Sequence, residues 1–390
     1  MPECYFLLDK VVNSPYIGLS FGSIDNNVHS LDHLFGHFDG FSYNNFYHVN
    51  QYKLTNPYKI KFVLTYTHMP LNTNIDLSKD AIDIINKDEK TFLCIFSVLE
   101  SKITPAELSA ELQRQGIPLN KVVVVCSNLE SHNKKIEGVK YICINFWESI
   151  SRHHHKTLPD MAITMPDELN LKSASKKFIC LNRNIKPHRI WLMYSLLKSK
   201  ILEQGHVSYH LPSISKEDHV RCAKEHAIRR IPKELHEDFK YTLMRNMYTR
   251  MLDPLHKHVI NYGNSIKYYY NDSLVSVITE SDTHDNFITE KTYKAIMNLH
   301  PFFIVGNPAQ HTLLRKRGYH TFEDLFEVND VGHYTTAMKL WKNIKKKDIN
   351  LLKQNIEKNY MDKLVHNQQL FLSRSAKWDN IVDTIIETIS

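Results

Sequence analysis

The run ITESDTHDNFITEKTYKAIMNLHPFFIVGNP, residues 278–308, collects residue types suited to a phosphorylated ligand. Thr289 precedes a helical pattern and can cap it, which puts Glu290 and Lys291 in the first turn, beside free backbone N–H groups and the positive end of the helix dipole. A helix end of this kind holds phosphate, and Lys291 adds a full charge there. Glu290 is the type of acceptor that takes a pair of ribose hydroxyls. The same residues also make ordinary capping chemistry with a solvated lysine, and spacing alone leaves both readings open. Asp282 and Asp285, on the preceding loop, either shape a turn or bind sugar hydroxyls.

These residues need a frame. SLVSVITE (273–280) reads as a strand that ends in Glu280, TEKTYKAIMNLH (289–300) as a helix and PFFIVG (301–306) as a strand, a compact βαβ crossover whose ligand edge lies at the C-terminal ends of its strands. Upstream, KFICLN (177–182) reads as a buried strand, and HRIWLMYSLLKSKILEQG (188–205) as an amphipathic helix ended by Gly205. A charged, His-rich helical stretch covers 215–260. In the first half, KFVLTYT (61–67), TFLCIFSV (91–98), VVVVCSN (122–128) and YICINF (141–146) alternate with helical patterns such as ITPAELSAELQRQG (103–116). Strand, helix, strand at this spacing predicts a mostly parallel sheet. The expected fold is therefore α/β, with two Rossmann-like domains facing a cleft. The first spans 1–150, 151–176 is a linker, the second spans 177–345, and helices of 346–390 cross back to the first domain.

The stretch FITEKTYKAIMNLHPFFIVGNP resembles the donor-binding motif of the α-1,3-fucosyltransferase family, a Y/F-x-T-E-K segment followed by a helix and a strand like PVVLG. KFICLNRNIKPHRIWLMYSL (177–196) resembles that family's strand ending in Ser or Asn, followed by a short loop and an Arg that opens a helix. The resemblance implies a glycosyltransferase of the two-domain GT-B type. It implies that Glu290 binds the nucleotide ribose and that Lys291 and Arg189 bind the diphosphate, with Asn182 at the strand end and Arg183 a nearby substitute. Arginine suits that role because its planar fork makes paired bonds to phosphate oxygens. Glu280 and Thr289 complete the expected donor-binding set. The whole pattern, including RGYHTFEDLF (317–326), is more similar still to fucosyltransferase-like proteins of phages and other viruses. The N-terminal half carries no fucosyltransferase acceptor motif, so neither GDP-fucose nor a secretory glycan is implied.

No two Asp residues are separated by a single residue anywhere in the chain, so the usual carboxylate pair for a divalent metal on the diphosphate is missing and no metal is expected. Basic groups and a helix dipole would neutralise the leaving group instead. An inverting transfer needs a base for the acceptor hydroxyl; Glu100, just after TFLCIFSVL, is the first candidate for this catalytic role, followed by Glu148 and His68. His153, His154 and His155 stand in series and cannot all reach one ion from a regular element, and His256 with His258 alternate as in a strand.

The 390 residues carry 49 Lys and Arg against 42 Asp and Glu, a net charge of +7 that suits a nucleotide diphosphate or a nucleic acid. Lys339, Lys342, Lys345, Lys346, Lys347 and Lys353 form either a solvated helical face or a track for a polyanionic acceptor such as DNA. Six scattered cysteines read as reduced, with no disulfides. No apolar run approaches the ~18 residues needed to span a bilayer and the N-terminus lacks a signal peptide, so the expected location is cytoplasmic. The expectation is a transferase that moves a sugar from a nucleotide sugar to a hydroxyl, with a hydroxymethylated base in phage DNA as one acceptor. The alternatives are a glycan or lipid-linked saccharide transferase, or a non-catalytic nucleic-acid-binding protein of the same fold.

Overall fold

The computed structural model describes residues 4–8, 13–14, 19–20, 46–48, 60–66, 75, 77–97, 105–126, 135–145, 147–149, 151–152, 163–182, 186–209, 224–246, 265–280, 286, 288–329, 334–374 and 381–389. The chain divides into two compact units, Met1–Ile150 with Ser375–Ser390, and Ser151–Arg374. Both are Rossmann-like α/β units built on a parallel sheet.

In the first unit the strands are β1 (Cys4–Leu8), a minor antiparallel pair β2 (Asn13–Ser14) and β3 (Leu19–Ser20), β4 (Phe46–His48), β5 (Ile60–Tyr66), β6 (Thr91–Ser97), β7 (Val122–Cys126) and β8 (Lys140–Cys143). The main sheet runs β4-β1-β5-β6-β7-β8, with every pair parallel. All five residues of β7 are buried, as expected of a central parallel strand covered on both faces. Its core joins Leu93, Ile95, Val122 and Val124 to Ala81 and Ile85 of α1 (Lys79–Lys87) and to Leu108 and Leu112 of α2 (Pro105–Arg114).

The second unit contains β9 (Lys176–Asn182), α3 (Pro187–Ser199), β10 (Gly205–Tyr209), α4 (His236–Asn246), α5 (Ser265–Asn271), β11 (Ser273–Thr279), α6 (Glu290–Met297) and β12 (Phe302–Val305). After these come α7 (Ala309–Lys316), α8 (Glu323–Phe326), α9 (Tyr334–Lys346), α10 (Ile349–Asn359) and α11 (Met361–Ser373). The sheet order is β10-β9-β11-β12, all parallel. Trp341 of α9 locks α3 against the sheet: its ring lies 5.1 Å from that of Phe178, and its Nε1 donates to Ser195 Oγ at 3.0 Å and to Leu192 O at 3.3 Å.

Three expectations change. The helix predicted to run to Gly205 ends at Ser199, capped by Lys200 in the left-handed region (φ 51°), and Gly205 instead opens β10. The apolar pattern continues past the helix because Ile201 is buried and Leu202 opens the short 3-10 turn Leu202–Gln204 that leads into β10. Residues 163–175, taken as a linker, pack inside the second unit: Thr164 Oγ1 donates to Asn298 Oδ1 at 3.0 Å, and Gln368 Nε2 donates to Thr164 O at 2.9 Å. Polar bonding rather than apolar patterning holds this stretch, so periodicity passes over it. Of the C-terminal helices, α10 and α11 belong to the second unit, and only α12 (Ile381–Ile389) lies in the first, against β8. Among the described residues no helix is long and apolar enough to cross a membrane.

Candidate functional site

From β9 the chain moves to β10 on one side and then to β11 on the other, so the order reverses between β9 and β11. The crevice outside the carboxyl ends of two such strands is where open α/β sheets bind ligands. Asn182 ends β9 and Thr279 ends β11, and the Thr279 hydroxyl donates to Asn182 Oδ1 between them. Asn182 is 1% exposed, and its amide also faces Cys180 Sγ at 3.3 Å.

Two helices start at this edge. Pro187 opens α3 at a position where its missing N–H costs nothing. The next two residues turn back onto the end of β11. His188 Nε2 donates to Glu280 O at 2.9 Å, and Arg189 Nη2 donates to Thr279 O at 3.3 Å and Glu280 O at 3.5 Å. Both side chains are buried. Burial, reinforced by the Arg189 charge, holds the His188 imidazole well below its ordinary pKa, so it is a neutral ring with the proton on Nε2.

The second helix, α6, carries the motif. Thr289 is its N-cap with extended backbone, and its hydroxyl accepts from Lys291 N at a long 3.5 Å. The hydroxyl's main commitment is elsewhere: it donates to Glu280 Oε2 at 2.5 Å, while Thr292 Oγ1 donates to Glu280 Oε1 at 2.6 Å. Glu280 is 0% exposed, so a buried carboxylate at the end of β11 seats the first turn of α6 through two hydroxyls and the positive end of its dipole. Lys291 is not a freely solvated surface lysine. Its Nζ donates to Thr289 Oγ1 at 2.9 Å and to Glu290 Oε1 at 3.2 Å, which folds the charge over the helix N-terminus. Burial pushes the Glu290 carboxyl up, but Lys291, Lys294 and hydrogen bonds outweigh it, and the net position is below the ordinary value.

Asn182, Arg189, Glu280, Thr289, Glu290 and Lys291 are thus brought together along one edge. They divide by exposure. Glu290 and Lys291 keep 18% and 22% of their side chains accessible, whereas Asn182, Arg189 and Glu280 are buried. His188, Thr279 and Thr292 join the network without having been singled out from sequence. Thr292 had a signal, because it sits three residues after the N-cap, where capping partners recur. His188 had none beyond standing next to Arg189.

Arg183, Glu100, His68, Asp282, Asp285, the three His of 153–155, and His256 with His258 lie outside the described residues. Glu148 is described, 2% exposed, and accepts from Asn145 Nδ2. Among the described residues no group of three His, Cys, Asp or Glu is placed to hold a metal ion. In the basic stretch Lys345 Nζ donates to Ser199 O at 2.9 Å, Lys347 Nζ to Glu327 at 2.7 Å and Lys353 Nζ to Lys172 O at 2.9 Å, and Lys339, Lys342, Lys345 and Lys346 are exposed.

No protein-family model and no curated protein matches the chain. Among solved structures it is similar to the N-terminal domain of Candida albicans trehalose-6-phosphate phosphatase, at 11% identity over 85% of this chain and 71% of that one, with a TM-score of 0.46. It is similar to an α1,3-fucosyltransferase at 12% identity over 97% and 92%, with a TM-score of 0.42. It is likewise similar to an E. coli structure described as trehalose-6-phosphate bound with UDP-2-fluoro glucose, at 9% identity over 99% of both chains, with a TM-score of 0.44.

Proposed function

We propose that this protein is a GT-B glycosyltransferase whose second unit binds a nucleotide-diphosphate sugar at the β9/β11 edge. The observation that carries the proposal is the pairing of Glu290 with Lys291 at the N-terminus of α6, with the lysine held over the helix end and both groups partly accessible. A diphosphate there meets backbone N–H groups, the helix dipole and the Lys291 ammonium. An ionised Glu290 accepts from the ribose hydroxyls. Buried Glu280, His188 and Arg189 serve by fixing the end of β11 and the first turn of α6, so that the donors are preorganised.

In the reaction an acceptor hydroxyl loses its proton to a base, for which Glu100 remains the candidate, and its oxygen forms a bond to the anomeric carbon. The bond from that carbon to the diphosphate breaks, and the nucleotide diphosphate leaves with the electron pair. Lys291 and the α6 dipole offset the charge that develops on it, with no metal required. The net charge of +7 and exposed Lys339, Lys342 and Lys346 support a polyanionic acceptor, a hydroxymethylated base in DNA.

The test is thermal stabilisation by UDP-, GDP-, CMP- and TDP-linked sugars without added metal, for the natural chain, Lys291→Ala and Glu290→Gln. A shift with one nucleotide class that Lys291→Ala removes supports the proposal. Absence of a shift with every donor overturns it.

A further inference from the structure

The second unit buries a cation that the described residues leave partly unmatched. Arg152 is 5% exposed, and its Nε and Nη1 are closed off from solvent with no hydrogen-bond partner among the described residues. The guanidinium does meet a ring: its Cζ lies 5.8 Å from the centroid of Phe371, itself 0% exposed. A ring face returns only a fraction of what a guanidinium loses on leaving water, and hydrogen-bonding groups left orphaned inside a protein mark the place of an unseen partner.

The surroundings specify the sign and type of that partner. Phe371 stacks on Tyr293 of α6 at 5.8 Å, and Tyr293 packs edge-on against Tyr319 at 6.4 Å. Arg374 rests over the Tyr319 ring at 5.1 Å, and Arg317 Nη1 donates to the Tyr293 hydroxyl at 3.3 Å. Three arginines therefore lie along one chain of aromatic rings, a positively charged neighbourhood that favours an anionic partner. The N–H groups of a guanidinium are directional and set in a planar fork, so acceptor oxygens fit them and a bare halide does not.

We propose that Arg152 is the centre of a second anion site, for a phosphate-type oxyanion, distinct from the Glu290–Lys291 site and independent of the proposed transfer activity. The site stands whether or not nucleotide sugars bind at α6, and Lys291→Ala separates the two.

The experiment follows the thermal midpoint of the full chain as inorganic phosphate replaces chloride at constant ionic strength, with sulfate and acetate as further arms. It uses the natural chain, Lys291→Ala, Arg152→Met and Arg152→Lys. Methionine keeps the packing on Phe371 without the charge, and lysine keeps the charge without the fork. Phosphate and sulfate are expected to raise the midpoint of the natural chain and of Lys291→Ala alike, and acetate to do little. In Arg152→Met the phosphate gain falls to about a third or less, and the midpoint in chloride is unchanged or higher because an unmatched buried charge is gone. Should Arg152→Met fail to fold, Arg152→Lys decides: a reduced phosphate gain supports the site and a full gain overturns it. Equal gains in all four proteins, or no gain over chloride in the natural chain, also overturn it.

Discussion

The hydroxyl of Thr289 donates to Glu280 Oε2 at 2.5 Å and accepts from Lys291 Nζ at 2.9 Å. One residue thereby couples a fully buried carboxylate to the ammonium at the helix end. Removing the hydroxyl in Thr289→Val leaves Glu280 with the Thr292 donor and loosens Lys291. The expected loss is about 1–3 kcal/mol of unfolding free energy, read from urea denaturation. Because Thr292 serves the same carboxylate, Thr289→Val and Thr292→Val together should depart from additivity, and strict additivity would show that the two hydroxyls act independently.

Glu290 yields a pH signature. Its carboxyl is below the ordinary value of 4.5 in the folded protein, despite burial, because of Lys291 and Lys294. A carboxyl depressed on folding contributes stability that is present above its unfolded pKa and lost as pH falls through its folded one. The stability difference between the natural chain and Glu290→Gln should thus be constant from neutrality to about pH 5 and shrink below that. A difference that widens on acidification would show the carboxyl to be raised instead.

His300 predicts the opposite kind of window. Its Nε2 donates to Tyr270 O at 2.7 Å, its Nδ1 lies 3.0 Å from Ser276 Oγ, and burial lowers its pKa from 6.5 to about 4. Between those values the unfolded chain holds a proton that the folded one does not, so stability rises with pH across the window and falls as pH drops from 6.5 toward 4. His300 contributes roughly 3 kcal/mol to that fall at most. His188, also buried and lowered, acts in the same direction. Denaturation of His300→Gln between pH 7 and pH 4 should show a flatter dependence than the natural chain.

Gly205 is required by contact rather than by backbone conformation. A Cβ there would lie 2.4 Å from Cε2 and Cζ of Phe178. Gly205→Ala should therefore cost about 1–3 kcal/mol. Adding Phe178→Leu, which withdraws the ring, should recover part of the loss in the same measurement, and no recovery would place the strain elsewhere.

Sequence alone determined the parts of this protein that depend on near neighbours. The apolar runs at 61–67, 91–98, 122–128, 141–146, 177–182, 273–280 and 301–306 each mark a parallel strand; along β7, β11 and β12 every residue is buried, and a strand covered on both faces must be apolar along its length. Thr289, Glu290 and Lys291 take the positions at the start of α6 that their spacing predicts, since capping is settled within one turn. Tertiary structure decided which polar groups remain available. His188 meets Glu280 across 92 residues of chain, and Arg189 turns its guanidinium onto the end of β11, neither of which a local pattern encodes. Lys345 and Lys353 look like members of a solvated basic face, yet each bonds a carbonyl far along the chain. Arg152 has an unremarkable sequence context and becomes conspicuous only when folding buries it against Phe371. The division has one physical cause: helix caps and strand patterning are short-range, whereas the pairing or isolation of a buried charge depends on what folding brings to it from far along the chain.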